Sequence, residues 1–353
     1  MTIQSKKRAI KILVPVLSVI IALLIGAIVI LAIGKNPIVA YKEMFIGAFG
    51  SKMSWASNIT KMTSLLLTGL AVAFGFRAGV FNIGAEGQMA VGGMAAAVVG
   101  INMGQTPMII AVPVTILCSI MAGAVWASIA GILKAKTGAH EVITTIMLNW
   151  IAYHIGNYLV VGPLAVGDGV PKSPEIAKSA QLPPLLTVQA STLPSGIIIA
   201  VAAAIIIYII LEKTTAGYEL KAVGFNPYAA EYGGISISKN IILTMAISGG
   251  LAGLAGAMEV MCVHLRIFGS FTSGRGFDGI TIALIGQNSP IGSIFSAFLI
   301  SSLRTGSTNM QFAGIPDDLV GLIQGIIIFL VAAERIIKTL IIKLFRVKGG
   351  ENA

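Results

Sequence analysis

Apolar residues run along this chain in long unbroken stretches, not in the alternation of a half-buried strand or the one-sided stripe of a surface helix. Six stretches, about 12–33, 108–133, 141–161, 196–211, 241–262 and 318–337, are bounded by charge, Gly or Pro. They reach or approach the ~20 residues with which a helix spans a bilayer. Four weaker stretches, about 62–76, 88–104, 278–287 and 290–304, are short or rich in Gly and Ala, and fall as one pair in each half of the chain. Short, Gly-interrupted segments at corresponding places suggest internal repeats with discontinuous helices beside a transport path. Ordinary short helices buried among longer ones give the same pattern. The predicted fold is therefore all-α and polytopic, with about ten transmembrane helices in two related halves containing broken or short helices. Residues 1–353 are read as a single transmembrane domain. The run from Ile12 exceeds the roughly 7–15 residues of a signal-peptide core, so it is read as a retained first span.

Two polar stretches interrupt the pattern. The segment 162–195 holds Pro163, Pro171, Pro174, Pro183, Pro184 and Pro194, and prolines stiffen a loop and block long helices, which predicts an ordered cap. The segment 212–240, EKTTAGYELKAVGFNPYAAEYGGISISKN, is polar yet patterned and predicts one or two short surface helices. Asn226-Pro227 is a natural helix start, with Asn as cap and Pro in the first turn. Ten crossings put both termini on one side, together with fifteen of the 24 Lys and Arg residues. Positive charge collects on the cytoplasmic side, so both termini and the 212–240 loop are expected inside and the 162–195 loop outside.

Composition strengthens this reading. The chain is 56% hydrophobic and 11% charged, with mean hydropathy +0.91; soluble domains carry about 25% charge, so lipid is the solvent for much of the surface. The net charge of +10 follows from topology, since no basic stretch is interleaved with aromatics as nucleic-acid binding requires. The 41 glycines suit close helix packing or broken helices. Cys118 and Cys262 lie inside apolar runs and offer neither a disulfide framework nor metal spacing.

No GxxxxGK[ST] phosphate loop, HExxH, GxSxG or paired Cys/His cluster occurs in the sequence. No catalytic or metal site is expected. Polar residues inside the spans carry the remaining chemistry. Thr145, Asn149, Tyr153 and Asn157 recur every four residues on one helix face, with Trp150, His154 and Tyr158 on the adjoining row. Such hydrogen-bonding capacity belongs inside, as helix–helix bonding or as the wall of a path offering amides, hydroxyls and aromatic faces. Asn82, Glu86 and Gln88 sit among glycines where two weak segments join. Glu259 ends a span behind Gly249, Gly253 and Gly256, and Asp278 and Gln287-Asn288 flank another weak segment. Substrate contact, capping and interhelical bonding are open readings for each.

The small apolar residues Leu220, Ala222, Val223, Ala229, Ala230 and Ile235, set among Gly217, Gly224, Gly233 and Gly234, suit a short helix pressed into another protein's groove. This segment resembles the cytoplasmic coupling loop of ATP-binding-cassette importer permeases of the sugar and branched-chain amino-acid class. The matching positions are Gly217, Ala222, Gly224, Asn226, Ala229, Ala230, Gly234 and Ile235. RAGVFNIGAEGQMAVGGMAAA (Arg77–Ala97) and HEVITTIMLNWIAYHIGNYL (His140–Leu159) are similar to the nucleoside and simple-sugar subgroup, and FDGITIALIGQNSPIGSIFSAFL (Phe277–Leu299) to the class as a whole. The resemblance covers about residues 60–340. It implies a non-enzymatic permease subunit of a bacterial cytoplasmic membrane importer. ATP-Mg would sit on a separate ATPase subunit, and this chain would bind no cofactor. A second, paralogous permease and an extracytoplasmic binding lipoprotein would complete the assembly. A nucleoside is the expected substrate and a simple sugar such as ribose the alternative. An ion-coupled transporter would have to rely on Glu86 and Glu259, and nothing in the sequence asks for an intramembrane enzyme.

Overall fold

The computed structural model describes residues 3–333 except 168, 189–190, 313 and 317, and for 3–14 and 332 the backbone alone. The expected inner-side cations Arg335, Lys338, Lys343, Arg346 and Lys348 and the end of the last stretch lie outside the described residues. Among those described, thirteen α-helices form an all-α polytopic architecture. Five helices are long and apolar enough to cross a membrane. The chain divides into two compact units, one of residues 1–54 and 302–353 and one of residues 55–301.

The first unit contains α1 (Ile3–Ala32), α2 (Pro37–Phe49), the far end of α12 (Pro290–Phe312) and α13 (Asp318–Ala332). The Asn36 side chain caps α2 by accepting from the Ile38 N–H at 2.9 Å, and Pro37 takes the first helical position, where its missing N–H costs nothing. The Tyr41 hydroxyl donates to the Leu23 carbonyl and ties α2 to α1.

The second unit carries the rest. α3 (Lys52–Arg77) enters it, followed by α4 (Ala85–Ile101), α5 (Met108–Thr137), α6 (Glu141–Val161), α7 (Gly196–Lys213), α8 (Thr215–Phe225), α9 (Pro227–Tyr232), α10 (Ile237–Met258) and α11 (Arg275–Ile285). α3 and α10 form its centre, with 78% and 72% of their apolar windows buried by protein, against 22% for α5 and 28% for α7. The latter two expose rows of Ile, Leu and Val, the surface expected of helices that meet lipid.

Backbone approach holds α4, α5 and α10 together. A Cβ added to Gly92 would strike the backbone of Gly253, one on Gly123 the carbonyl of Gly249, and one on Gly256 the carbonyl of Met89. The Gly249, Gly253, Gly256 spacing thus serves close helix packing. Without a hydrophobic drive between helices in lipid, such packing supplies van der Waals contact over the whole seam.

Two of the four weak stretches are longer than expected. α3 has 26 residues and α12 has 23, whereas α4 has 17 and α11 only 11. Hydropathy underrates α3 because Thr60 and Thr63 bond back to carbonyls four residues earlier and Thr68 to the Leu65 and Arg275 carbonyls. Polar residues satisfied this way are tolerated in a span although they lower its score.

α10 does not stop cleanly. It passes into a π-turn over Glu259–His264 and ends at Leu265 in a left-handed conformation, φ 57°. The 162–195 segment closes this break. Its Ser173, Ile176 and Leu182 N–H groups donate to the carbonyls of Ile267, Leu265 and Met261, which the lost helical pattern leaves without partners. The same segment forms a hairpin of β1 (Pro184–Val188) and β2 (Ser191–Pro194), with Pro184 and Pro194 at the strand ends, where no ladder donor is required. β2 seats on α3 through Thr60 Oγ1 to the Thr192 carbonyl, 2.8 Å. The described residues of this segment include a short hairpin, where the prolines predict only a stiffened loop.

Candidate functional site

Two helix starts meet inside the second unit. The first turn of any helix leaves backbone N–H groups without internal partners and carries partial positive charge. Glu86, in the first turn of α4, serves its own helix and reaches across to α11. Its Oε1 accepts from Thr272 Oγ1 at 2.5 Å and the Gly274 N–H at 2.9 Å, and its Oε2 accepts from the Gly276 N–H at 2.6 Å. A Cβ at Gly276 would collide with the backbone of Ala85 and Glu86, so only glycine admits this approach. Bonds to a charged acceptor contribute about 1.5–3 kcal/mol each, and one carboxylate makes three here.

Behind Glu86 lies a buried amide network. Asn82 Nδ2 donates to Gln88 Oε1 at 2.9 Å and Ser248 Oγ at 2.8 Å, while its Oδ1 accepts from Gln88 Nε2 and the Gly84 N–H, both at 2.9 Å. Ser248 Oγ in turn donates to the Ala71 carbonyl at 2.6 Å. Asn149 joins α6 to the same place, accepting from the Gly87 N–H at 2.8 Å and donating to the Ile83 carbonyl at 3.1 Å. Thr145 is buried and bonds to the Glu141 carbonyl of its own helix at 2.7 Å.

A cavity of about 430 Å³ opens beside Glu86, within the range of small-ligand pockets. α4 contributes Glu86, Ala90 and Met94; α6 contributes Asn149, Trp150, Tyr153 and Asn157; the segment before and into α11 contributes Phe268, Ser270, Phe271, Thr272, Ser273 and Phe277. Glu86 is the one charged side chain among the lining residues. Trp150 and Tyr153 stand edge to face, their centroids 6.1 Å apart.

The expected path residues therefore separate into groups. Glu86, Asn149, Tyr153 and Asn157 line one cavity. Asn82, Gln88 and Thr145 sit in packed, bonded positions behind it. Glu259 is 2% exposed and lies 3.2 Å from Arg275 Nη1 and 3.3 Å from His264 Nε2, pinning the π-turn to the start of α11. Asp278 is buried in the first turn of α11, outside the cavity lining. The stretch 265–274 has no helical period, so periodicity does not reveal it. Its signal is Phe268 and Phe271 spaced among Gly and Ser, followed by Phe277 in α11.

A second surface lies at α8 and α9. Asn226 caps α9 through the Ala229 N–H at 3.1 Å, as its pairing with Pro227 predicts. Leu220 and Val223, read from sequence as suited to a partner's groove, are instead buried within this chain at 0% and 4% exposure. Gly217 packs on the Ile210–Leu211 backbone and Gly224 on residues 77–79. The side chains left standing out are Tyr218, Phe225, Tyr228 and Tyr232, 68–97% exposed. Ala222, Asn226, Ala229, Ala230 and Ile235 line a hollow of about 510 Å³ between the two helices. Gly234, at φ 82°, turns the chain away after α9.

Comparison with known proteins agrees with this architecture. The guanosine ABC transporter permease protein NupP of Bacillus subtilis (strain 168) is 42% identical over 352 residues, 98% of this chain and 99% of the relative. The nucleoside ABC transporter permease protein NupB of Lactococcus lactis subsp. cremoris (strain MG1363) is 37% identical, covering 97% and 96%. The glucose ABC transporter permease protein TsgB13 of Haloferax volcanii is 34% identical, covering 91% and 87%. No solved structure matches the chain. The family described as branched-chain amino acid transport system / permease component matches residues 54–332, the stretch that contains both the cavity and the α8–α9 surface, and the chain belongs to this family.

Proposed function

We propose that this chain is one membrane subunit of an ATP-driven importer that translocates nucleosides, with the cavity beside Glu86 forming part of the path. The cavity carries the reading: its walls pair aromatic faces with amides and hydroxyls, and no cation lines it. A nucleobase offers a π face for the former and hydrogen-bonding edges for the latter. A phosphorylated or carboxylated solute would meet Glu86 with no compensating positive charge. The names of the relatives from Bacillus subtilis and Lactococcus lactis point the same way.

ATP-Mg belongs on a separate ATPase subunit that docks against α8 and α9, where Phe225, Tyr228 and Tyr232 stand in solvent; aromatic side chains are the usual anchors of such interfaces. A second permease subunit, an extracytoplasmic binding lipoprotein and a bacterial cytoplasmic membrane with both termini inside complete the assembly. The chain is a single transmembrane domain that binds no cofactor of its own and performs no chemistry.

The test is uptake by proteoliposomes holding the complete transporter. Labelled guanosine or cytidine should accumulate only with ATP inside and the ATPase subunit present, and should still accumulate when ion gradients are collapsed. Uptake that persists without the ATPase overturns the importer reading. The glucose permease relative favours a second reading, a hexose or pentose substrate. Excess ribose or glucose that abolishes nucleoside uptake would support it.

A further inference from the structure

The α8–α9 surface and the cavity are joined by one turn of backbone. Residues 78–84 link the end of α3 to the start of α4, pack against Gly224 of α8 and bond to Asn149, which lines the cavity. At one end, Gly79 sits at φ 72°, and a Cβ there would lie 2.9 Å from Gly224 Cα. A Cβ on Gly224 would lie 2.5 Å from the Arg77 carbonyl oxygen and 2.9 Å from the Gly79 nitrogen. The last turn of α8 thus rests on the backbone of this connection with no side chain between them. At the other end, Asn82 and Asn149 clamp the connection to α4, α6 and α10 through Gly84, Ile83, Gly87 and Ser248. Two side bonds remove remaining slack: the Phe81 N–H donates to Glu141 Oε1 at 3.4 Å, and Arg77 Nε to the Asn288 carbonyl at 2.8 Å.

We propose that the 78–84 turn is the rigid link by which displacement of α8 reaches the cavity, with Asn82 as its positioning residue. The proposal rests on the importer reading, which supplies the displacement. A backbone-on-backbone contact cannot be absorbed by a side chain changing rotamer, because close-packed interiors transmit strain. The buried amide network then makes the turn and the start of α4 move as one piece. Glu86 moves with them, and its three bonds are the ones that hold α4 against the 272–276 wall. Shifting α8 therefore separates or closes the two walls of the cavity.

The test uses the complete transporter in proteoliposomes and reads nucleoside imported per ATP hydrolysed. Gly224→Ala and Asn82→Ala should each lower this ratio about tenfold, in the range of coupling effects from residues that contact neither ligand. The double variant should lose no more than the worse single variant, since both interrupt one link; losses that multiply overturn the proposal. If Gly224→Ala does not assemble, Gly79→Ala probes the same contact from the opposite side. A merely structural role is separated by Trp150 emission, with Trp55 and Trp126 replaced by Phe. ATP should shift this emission in the parent and leave it unchanged in the Gly224→Ala transporter. An assembled variant with the parent's ratio and the parent's shift overturns the link. Uptake by the parent that needs no ATP overturns the importer reading itself, a result visible before any variant is made.

Discussion

Glu86 is where the chemistry of single residues is most concentrated. It stabilises its own helix start and satisfies two backbone donors and one hydroxyl of the facing segment. Glu86→Ala leaves the Gly274 and Gly276 N–H groups without this acceptor, and each orphaned group costs about 1–3 kcal/mol. Glu86→Gln keeps an acceptor but gives up the charge. Uptake should fall most in the Ala variant and less in the Gln variant; equal activity in both would sink the bridging role. The sequence exposes Glu86 through its glycine neighbours and exposes the α6 row through its period of four. It does not say that the row splits, Thr145 being used for packing, Tyr153 and Asn157 for the cavity, and Asn149 for both. That division depends on where α4 stops covering α6, which no local pattern encodes. Nor does sequence show that Glu259 finds Arg275, because their meeting is made by the break between α10 and α11.

At the scale of elements, the glycine seams make contrasting predictions. Gly253→Val would drive a side chain into the Ser119 carbonyl and Gly123, and overpacking of this kind costs about 1–3 kcal/mol or more. Its Tm in detergent should drop by several degrees. Gly325→Val, on α13 with nothing within 4 Å, should leave Tm unchanged; equal shifts in the two variants would contradict the seam. On α9, Tyr232→Ala removes a side chain that is 97% exposed. It should leave the isolated subunit's stability intact while weakening capture of the ATPase subunit at least several-fold, in line with aromatic anchors. Helix starts are the most legible elements. Asn226-Pro227 opens α9 as its pairing predicts, and Asn36-Pro37 opens α2 with the same signature. Hydropathy predicts α3 shorter than it is for the reason given for Thr60 and Thr63: hydroxyls bonded within their own helix count as polar in a hydropathy window and not in a bilayer.

For the whole molecule, the expected topology can be checked directly. With Cys118 and Cys262 replaced by Ser, Leu186→Cys in the hairpin should react with an impermeant maleimide added outside intact cells, and Tyr232→Cys only after lysis. Both positions are exposed, at 62% and 97%, so the reverse pattern would invert the orientation and place the proposed docking surface on the other face. The 11 residues of α11 reach only about 16 Å and carry Arg275 and Asp278. A segment so short and polar has no favourable partition of its own, an arginine at mid-bilayer costing at least about 2.5 kcal/mol. Its compensating groups, Glu86 and Glu259, belong to helices synthesised earlier. During biosynthesis the emerging 265–289 stretch therefore has to be sheltered at the translocation machinery until it can join a partly assembled bundle. Insertion of this chain is then a folding step with a fixed order, and a ribosome stalled soon after residue 289 would hold a nascent chain awaiting assembly.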